Sequence, residues 1–240
     1  MSRLIITSAV KKIMSFQDHP TLRSNLVGLY PLNETTGTTI NDVSGNGNHG
    51  TYVNSPTLNQ SGGVPNLGNC VQWGSGKHGT IVKPHGWSAI TITAWAKTNT
   101  NPNNYAAIVL SRAGSGIAYG LGVNPSPTFT PRFEAYYVDG GGGAHGTSNI
   151  VSGGYWWFLA ATYDGSYSRI YANAVLEGEN ANNLGNISCN DYLKIGIDSQ
   201  YPTSRFWPRW ISQVGVWNRA LNLYELKSVY NAGNGLPWSI

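Results

Sequence analysis

The 240-residue sequence predicts an all-β fold, a two-sheet antiparallel sandwich with one short C-terminal helix. Three observations carry that expectation. Short runs of alternating polarity recur from Leu26 onward between clusters of glycine, proline, asparagine and serine, the spacing of strands joined by tight turns. Charged residues make up only 11% of the chain, against an average near ~25%, while 30 Gly, 12 Pro, 9 Trp and 14 Tyr mark a turn-rich, aromatic-rich protein. One stretch near the C-terminus, RALNLYELKSVYNAG, has helical periodicity.

Residues 1–24 stand apart from the rest. Arg3, Lys11, Lys12 and Arg23 are interspersed with Ile5, Ile6, Val10, Ile13 and Phe16, and turn glycines are missing. This predicts an N-terminal arm ahead of one domain over residues 25–240. The arm is either a leader without structure of its own or an anchor that orders on a neighbouring subunit. The apolar run LIITSAV (residues 4–10) stops at Lys11-Lys12, too short for a signal h-region with its cleavage site, so no signal peptide is expected. No run approaches the ~20 apolar residues of a membrane span.

The strands become clearest from residue 90. Ile90, Ile92 and Ala94 alternate with Thr91, Thr93 and Trp95. In YWWFLAATYD, Trp156, Phe158 and Ala160 point one way and Trp157, Leu159 and Ala161 the other. Both faces are apolar, which predicts a central strand. Segments 105–112, 117–123, 132–138, 168–172, 192–197 and 210–217 show the same alternation, and Gly140 to Gly143 read as an exposed loop. In the helix, Asn222 caps, Glu225 completes a capping box, and Leu221 with Leu226 forms a hydrophobic staple. Leu223, Leu226, Val229 and Tyr230 form the buried stripe, and Gly233 is expected to end it.

Several function classes lose support at this level. The net charge of +4 is scattered, with no basic run beyond Lys11-Lys12, so a nucleic-acid partner is not expected. Cys70 and Cys189 permit one disulfide and demand none, and no CxxC spacing exists for a zinc-thiolate site.

Four motifs, in order, carry a resemblance. They are LVGLYPLNETTGTTINDVSGNGNHGTYVN, ITITAWAK, YWWFLAATYDG with RIYANAVLEGE, and ISQVGVWNRALNLYELKSVYNAG. Together they resemble the laminin-G-like, concanavalin A-like jelly roll of the pentraxin-like lectin superfamily, from about Leu26 to Gly233. The resemblance implies a fold shared by lectins, adhesion modules, virion fibres and some glycosidases, so individual residues must choose the function.

A glycosidase of this fold needs two carboxylates flanking the scissile bond. Glu177 and Glu179 alone have the i, i+2 spacing that places two on one strand face, and they fall where an exposed hairpin edge is expected. The five histidines show no i, i+4 pairing, and no Gly-x-Ser-x-Gly elbow is present. In DVSGNGNHG, Asp42, Ser44, Asn46 and Asn48 offer hard oxygens at alternate positions. Calcium accepts such ligands, with Asp42, Asn46 and Asn48 as the expected set, and the resemblance implies calcium at this turn. The same side chains can instead satisfy backbone donors in an Asx-type turn. The strand at Ile211 often carries acidic residues in this family, whereas here Ser212 and Gln213 follow. For glycans, Tyr136, Tyr137, Trp207 and Trp210 are the candidate stacking platforms, since sugars present apolar C–H faces to aromatic rings.

The first expectation is therefore a non-enzymatic structural and binding protein, a capsid decoration or fibre component of a virion surface. It is made in the host cytoplasm, attached to other virion subunits through residues 1–24, and present as a homo-oligomer or assembled on a particle. The second is a free, calcium-dependent carbohydrate-binding lectin module, extracellular by a non-classical route. A glycoside hydrolase is the third.

Overall fold

Alternating side chains give each strand two usable faces, and the fold uses both. The computed structural model describes residues 14–100, 105–113, 116–125, 131–137, 154–181, 186–189 and 191–239. Residues 1–13 of the expected arm and the glycine loop 140–143 lie outside the described residues. The first part of the chain supplies β1 (Leu26–Tyr30), β2 (Thr39–Ile40), β3 (Gly50–Val53), β4 (Thr57–Gln60), β5 (Cys70–Gln72) and β6 (His78–Thr80). Next come β7 (His85–Trp87), β8 (Ile90–Lys97), β9 (Ala106–Ala113), β10 (Gly116–Pro125) and β11 (Pro131–Tyr137). Then follow β12 (Trp157–Tyr163), β13 (Tyr167–Ala172), β14 (Val175–Ala181), β15 (Ile187–Ser188), β16 (Lys194–Ile195) and β17 (Trp210–Trp217).

An eight-stranded sheet runs β14-β13-β12-β8-β17-β5-β4, with β1 also paired to β17. A seven-stranded sheet runs β11-β10-β9-β16-β6-β3-β2, and β7 pairs with β15. The ladders are antiparallel, as expected for a sandwich. Between the sheets lies one core, where Ile92, Ala94, Leu159 and Ala161 of the larger sheet meet Val109, Tyr119 and Leu121 of the smaller. A second core lies on the outer face of the larger sheet, built on Trp95, Phe158, Ala160 and Trp217. Each of these fully buried aromatics contributes about 1.5–3 kcal/mol of burial. The alternation in YWWFLAATYD thus resolves as the sequence predicts, with β12 central and its two apolar faces in two different cores.

The outer core is closed by three segments. One is the helix α1 (Leu223–Tyr230), where Asn222 Oδ1 accepts from the Glu225 N–H and Glu225 Oε2 accepts from the Asn222 N–H. This helix ends at Tyr230, three residues before the expected Gly233. Asn231 takes the left-handed conformation at φ +48°, which asparagine tolerates, and donates from Nδ2 to Gly235 O at 2.8 Å. The C-terminal tail with Leu236 is the second segment.

The third is residues 14–24, grouped by sequence with the arm. They pack on this chain's own sandwich, with Phe16 and Leu22 fully buried. The Phe16 N–H donates to Pro237 O, Trp217 Nε1 to Leu22 O, and Arg219 reaches both Ser24 O and Thr21 O. The physical reason is that Trp95, Phe158 and Trp217 on the outer face need an apolar cover, and Phe16 and Leu22 supply part of it.

Two strands depart from simple alternation. In β17, Ser212 opposes Trp95 and Gly215 opposes Thr93, so three steps on β17 match two on β8. The extra residue is a bulge at Gln213, φ +34°, and it sends Ile211, Val214 and Val216 to the inter-sheet core. The strand expected over 192–197 is cut to Lys194–Ile195, because Gly196 turns to φ +84° with its α-carbon against the Trp73 ring. Cys70 and Cys189 are buried and unpaired, and burial pushes the Cys70 thiol up to about 11.

Candidate functional site

The Gln213 bulge forms the floor of a groove of about 240 Å³ beside β1 and β17. Its walls come from the exit of β1 (Pro31, Asn33), the Asp42 turn (Val43), the loop at Asn66 and Leu67, and the tail (Pro237, Trp238, Ser239). None of these lining side chains is charged.

Gln213 is only 3% exposed, and it is held from both ends. Its N–H donates to Pro31 O at 3.0 Å, and its Nε2 donates to Leu236 O at 2.6 Å. Among the described residues its Oε1 takes no hydrogen bond, and the residue lines the groove. A left-handed backbone costs a non-glycine residue about 1–2 kcal/mol, and Leu32 at φ +58° sits beside the same groove. Strain of this kind gathers at binding sites when the surroundings impose it. Trp238 is half-buried, with Phe16 covering one side at 6.4 Å between ring centroids. Asn66 donates from Nδ2 to Gly235 O at 3.3 Å, leaving its Oδ1 for other partners. Gly235 holds this corner at φ +73°, where a Cβ would meet Leu67 at 2.7 Å. An indole with several amides and no ion can hold a neutral polyhydroxyl ring by stacking and hydrogen bonding.

The Asp42 turn forms one rim. Asp42 is 7% exposed; its Oδ1 accepts from the Leu29 and Ser44 N–H groups, and its Oδ2 from the Asn48 N–H. Asn46 donates from Nδ2 to Leu26 O at 2.7 Å, and Asn48 from Nδ2 to Val27 O at 2.8 Å. Asp42 is thus spent on holding the turn to β1, while the Asn46 and Asn48 side chains use only their Nδ2 groups for it. One carboxylate, already accepting three N–H groups, with no group of three or more His, Cys, Asp or Glu side chains around it among the described residues, offers a calcium ion little charge. The Asp42 charge, with burial the larger cause, raises the Tyr30 phenol, whose OH donates to Asn48 O.

The four aromatic candidates do not converge. Trp207 is 1% exposed in the inter-sheet core, donating to Trp210 O at 3.0 Å, so no ring face is open to a sugar. Trp210 is half-buried on the outer face of the larger sheet. Tyr136 and Tyr137 fall on β11, at the edge of the smaller sheet, and their side chains lie outside the described residues. Of the carboxylate pair, Glu179 is engaged by Arg169, which also holds Asp164, and the β13–β14 register slips at Glu177. That bulge breaks the alternation on which the i, i+2 pairing depended.

Sequence reasoning missed Gln213, Trp238, Asn33 and Asn66, which come from four separate segments. The available signal was the polar pair Ser212-Gln213 inside the apolar run ISQVGVW.

Residues 74–227 match the family model described as the concanavalin A-like lectin/glucanases superfamily. The chain belongs to this superfamily. The match includes Gln213 and leaves out both the Asp42 turn and Trp238. No curated protein sequence matches the chain. Among solved structures, Trypanosoma rangeli sialidase in complex with sialic acid is similar at TM-score 0.65 and 14% identity, over 86% of this chain and 33% of that one. The binding domain of Botulinum Neurotoxin DC in complex with SialylT is similar at TM-score 0.65 and 11% identity, over 88% and 52%. The binding domain of Paraclostridial Mosquitocidal Protein 1 is similar at TM-score 0.61 and 14% identity, over 88% and 53%. This chain thus spans a third to about half the length of those chains, and the likeness is one of fold. For this member of the concanavalin A-like superfamily, the fold is the lectin-like jelly roll.

Proposed function

We propose that this chain is a non-catalytic lectin-like domain that binds a neutral saccharide in the groove between Gln213 and Trp238. The supporting observation is the Gln213 amide, whose Oε1 takes no hydrogen bond among the described residues, in an uncharged groove edged by an indole. A volume of about 240 Å³ is below the ~300–1,000 Å³ of sites for drug-sized ligands, so the groove takes one sugar ring rather than an oligomer. Two proteins of similar fold are in complex with sialic acid or SialylT, which favours a glycan as the ligand class. Calcium is not needed for binding in this reading, because no carboxylate lines the groove.

A glycan array followed by titration calorimetry, each with calcium and with EDTA, tests this. Binding of a neutral sugar under both conditions is expected. Gln213→Gly should weaken it about tenfold or more while the fold persists, since glycine relieves the left-handed backbone as the amide is lost. Trp238→Ala should weaken it similarly. Retained affinity in both variants, or binding that EDTA abolishes, overturns the reading.

The finer assignment to a virion surface falls to residues 1–13, because residues 14–24 are built into the domain. Deleting residues 2–13 should then release the protein from particles and leave its melting temperature unchanged. Particle association that survives the deletion removes that role.

A further inference from the structure

Three residues before Gln213 on β17, the outer face of the eight-stranded sheet carries a half-buried cross-strand row. Strand pairing sets Trp210 of β17 opposite Lys97 of β8 and Gln72 of β5, while Trp156 directly precedes β12 on the other side of Lys97. The Lys97 ammonium lies 5.4 Å from the Trp210 ring centroid and 5.9 Å from that of Trp156. Trp156 is fixed by donating from Nε1 to Gly62 O at 2.9 Å. Arg209 donates from Nε to Asn99 Oδ1 at 2.7 Å, which brings its guanidinium to the same end of β8.

These two cations are set apart by their place beside the indoles, and like Arg23, Lys77, Lys83 and Lys227 they have no ion pair among the described residues. Arg112, Arg169, Lys194, Arg205 and Arg219 each face a carboxylate. Among the described residues, Lys97 and Arg209 have none. Cation–π contact orients the ammonium but leaves its charge uncompensated. An oxyanion is the ligand group that two adjacent cations suit, and the indoles beside them suit the apolar face of a pyranose.

We propose that Trp156, Lys97, Trp210 and Arg209 form a second binding site, for a saccharide bearing a carboxylate or sulfate. Lys97 and Arg209 meet the oxyanion, Trp210 stacks on the ring, and Gln72 faces the hydroxyls at the next position along the row. The row shares no lining residue with the Gln213 groove.

The test is titration calorimetry with three probes: an oligogalacturonate, a sulfated galactan oligosaccharide, and the same galactan without sulfate. Binding of at least one charged probe is expected, no binding of the neutral galactan at this row, and weakening in high salt. Which charged probe binds identifies the oxyanion. Lys97→Met keeps the aliphatic stem and should reduce affinity at least tenfold, as should Trp210→Ala, while Lys97→Arg restores it and Gln213→Gly leaves it unchanged. Circular dichroism confirms that each variant is folded. The proposal is overturned if neither charged probe binds, if Lys97→Met and Trp210→Ala leave binding intact, or if Gln213→Gly abolishes it.

Discussion

The two ends of one sheet face contrast sharply. Around Trp95, Phe158 and Trp217, the outer face of the eight-stranded sheet is covered by helix α1, the tail and residues 14–24, and it behaves as a second core. Two residues along the same strand from Trp95, Lys97 lies between Trp156 and Trp210, which are half-buried, and Trp156 still packs against the edge of that core. The strand chemistry is continuous across both ends; the difference is the lid. Tryptophan on this sheet is fully buried at Trp95 and Trp217, where the terminal segments reach it, and half-buried at Trp156 and Trp210.

That comparison can be broken most directly by truncation. Trp95→Ala should cost about 3–5 kcal/mol and Leu22→Ala about 2–5 kcal/mol, measured by denaturant unfolding, because each opens the covered core. Trp210→Ala at the half-buried end should cost about 1 kcal/mol or less. Equal losses at Trp95 and Trp210 would show that the two ends are packed alike.

A smaller effect tests the lid by pH. Burial alone would raise the Glu225 carboxyl, but pairing with Arg219 and the Asn222 N–H overcomes it and holds the group below the usual carboxylate range. The folded state thus favours the ionised form. Its contribution is present above the unfolded carboxyl value near ~4.3 and is lost as pH falls through the folded value. Acid unfolding of wild type against Glu225→Gln, followed by the melting temperature, should show less pH dependence in the variant. Identical acid profiles would mean that the helix cap contributes nothing to closing the lid.

The smallest effect sharpens the half-buried end. Lys97→Met should leave stability within about 0.5 kcal/mol, since the ammonium forms no ion pair among the described residues. A loss of several kcal/mol would place Lys97 in the packed region instead.

Local pattern made some of this legible. The two-faced strand at Trp156 to Ala161 and the Asn222–Glu225 capping box can be read directly, because alternation and capping depend on residues within a few positions of one another. The groove was not legible: Gln213 reads as one more position in an alternating strand until the bulge against β8 is known, and Trp238 reads as part of a short tail. The aromatic candidates scattered for a related reason. Trp207 and Trp210 are three residues apart, yet one is in the inter-sheet core and the other on the outer face.

The sequence by itself determined the sandwich, its central strands and its capped helix, since these follow from periodicities of two and 3.6 and from short-range hydrogen bonding. Only the tertiary structure decided which outer-face aromatics are covered, that residues 14–24 belong to the lid, and that Gln213 floors a groove. Each of those depends on contacts between segments up to about 200 residues apart, such as Trp217 Nε1 to Leu22 O, which local sequence does not encode.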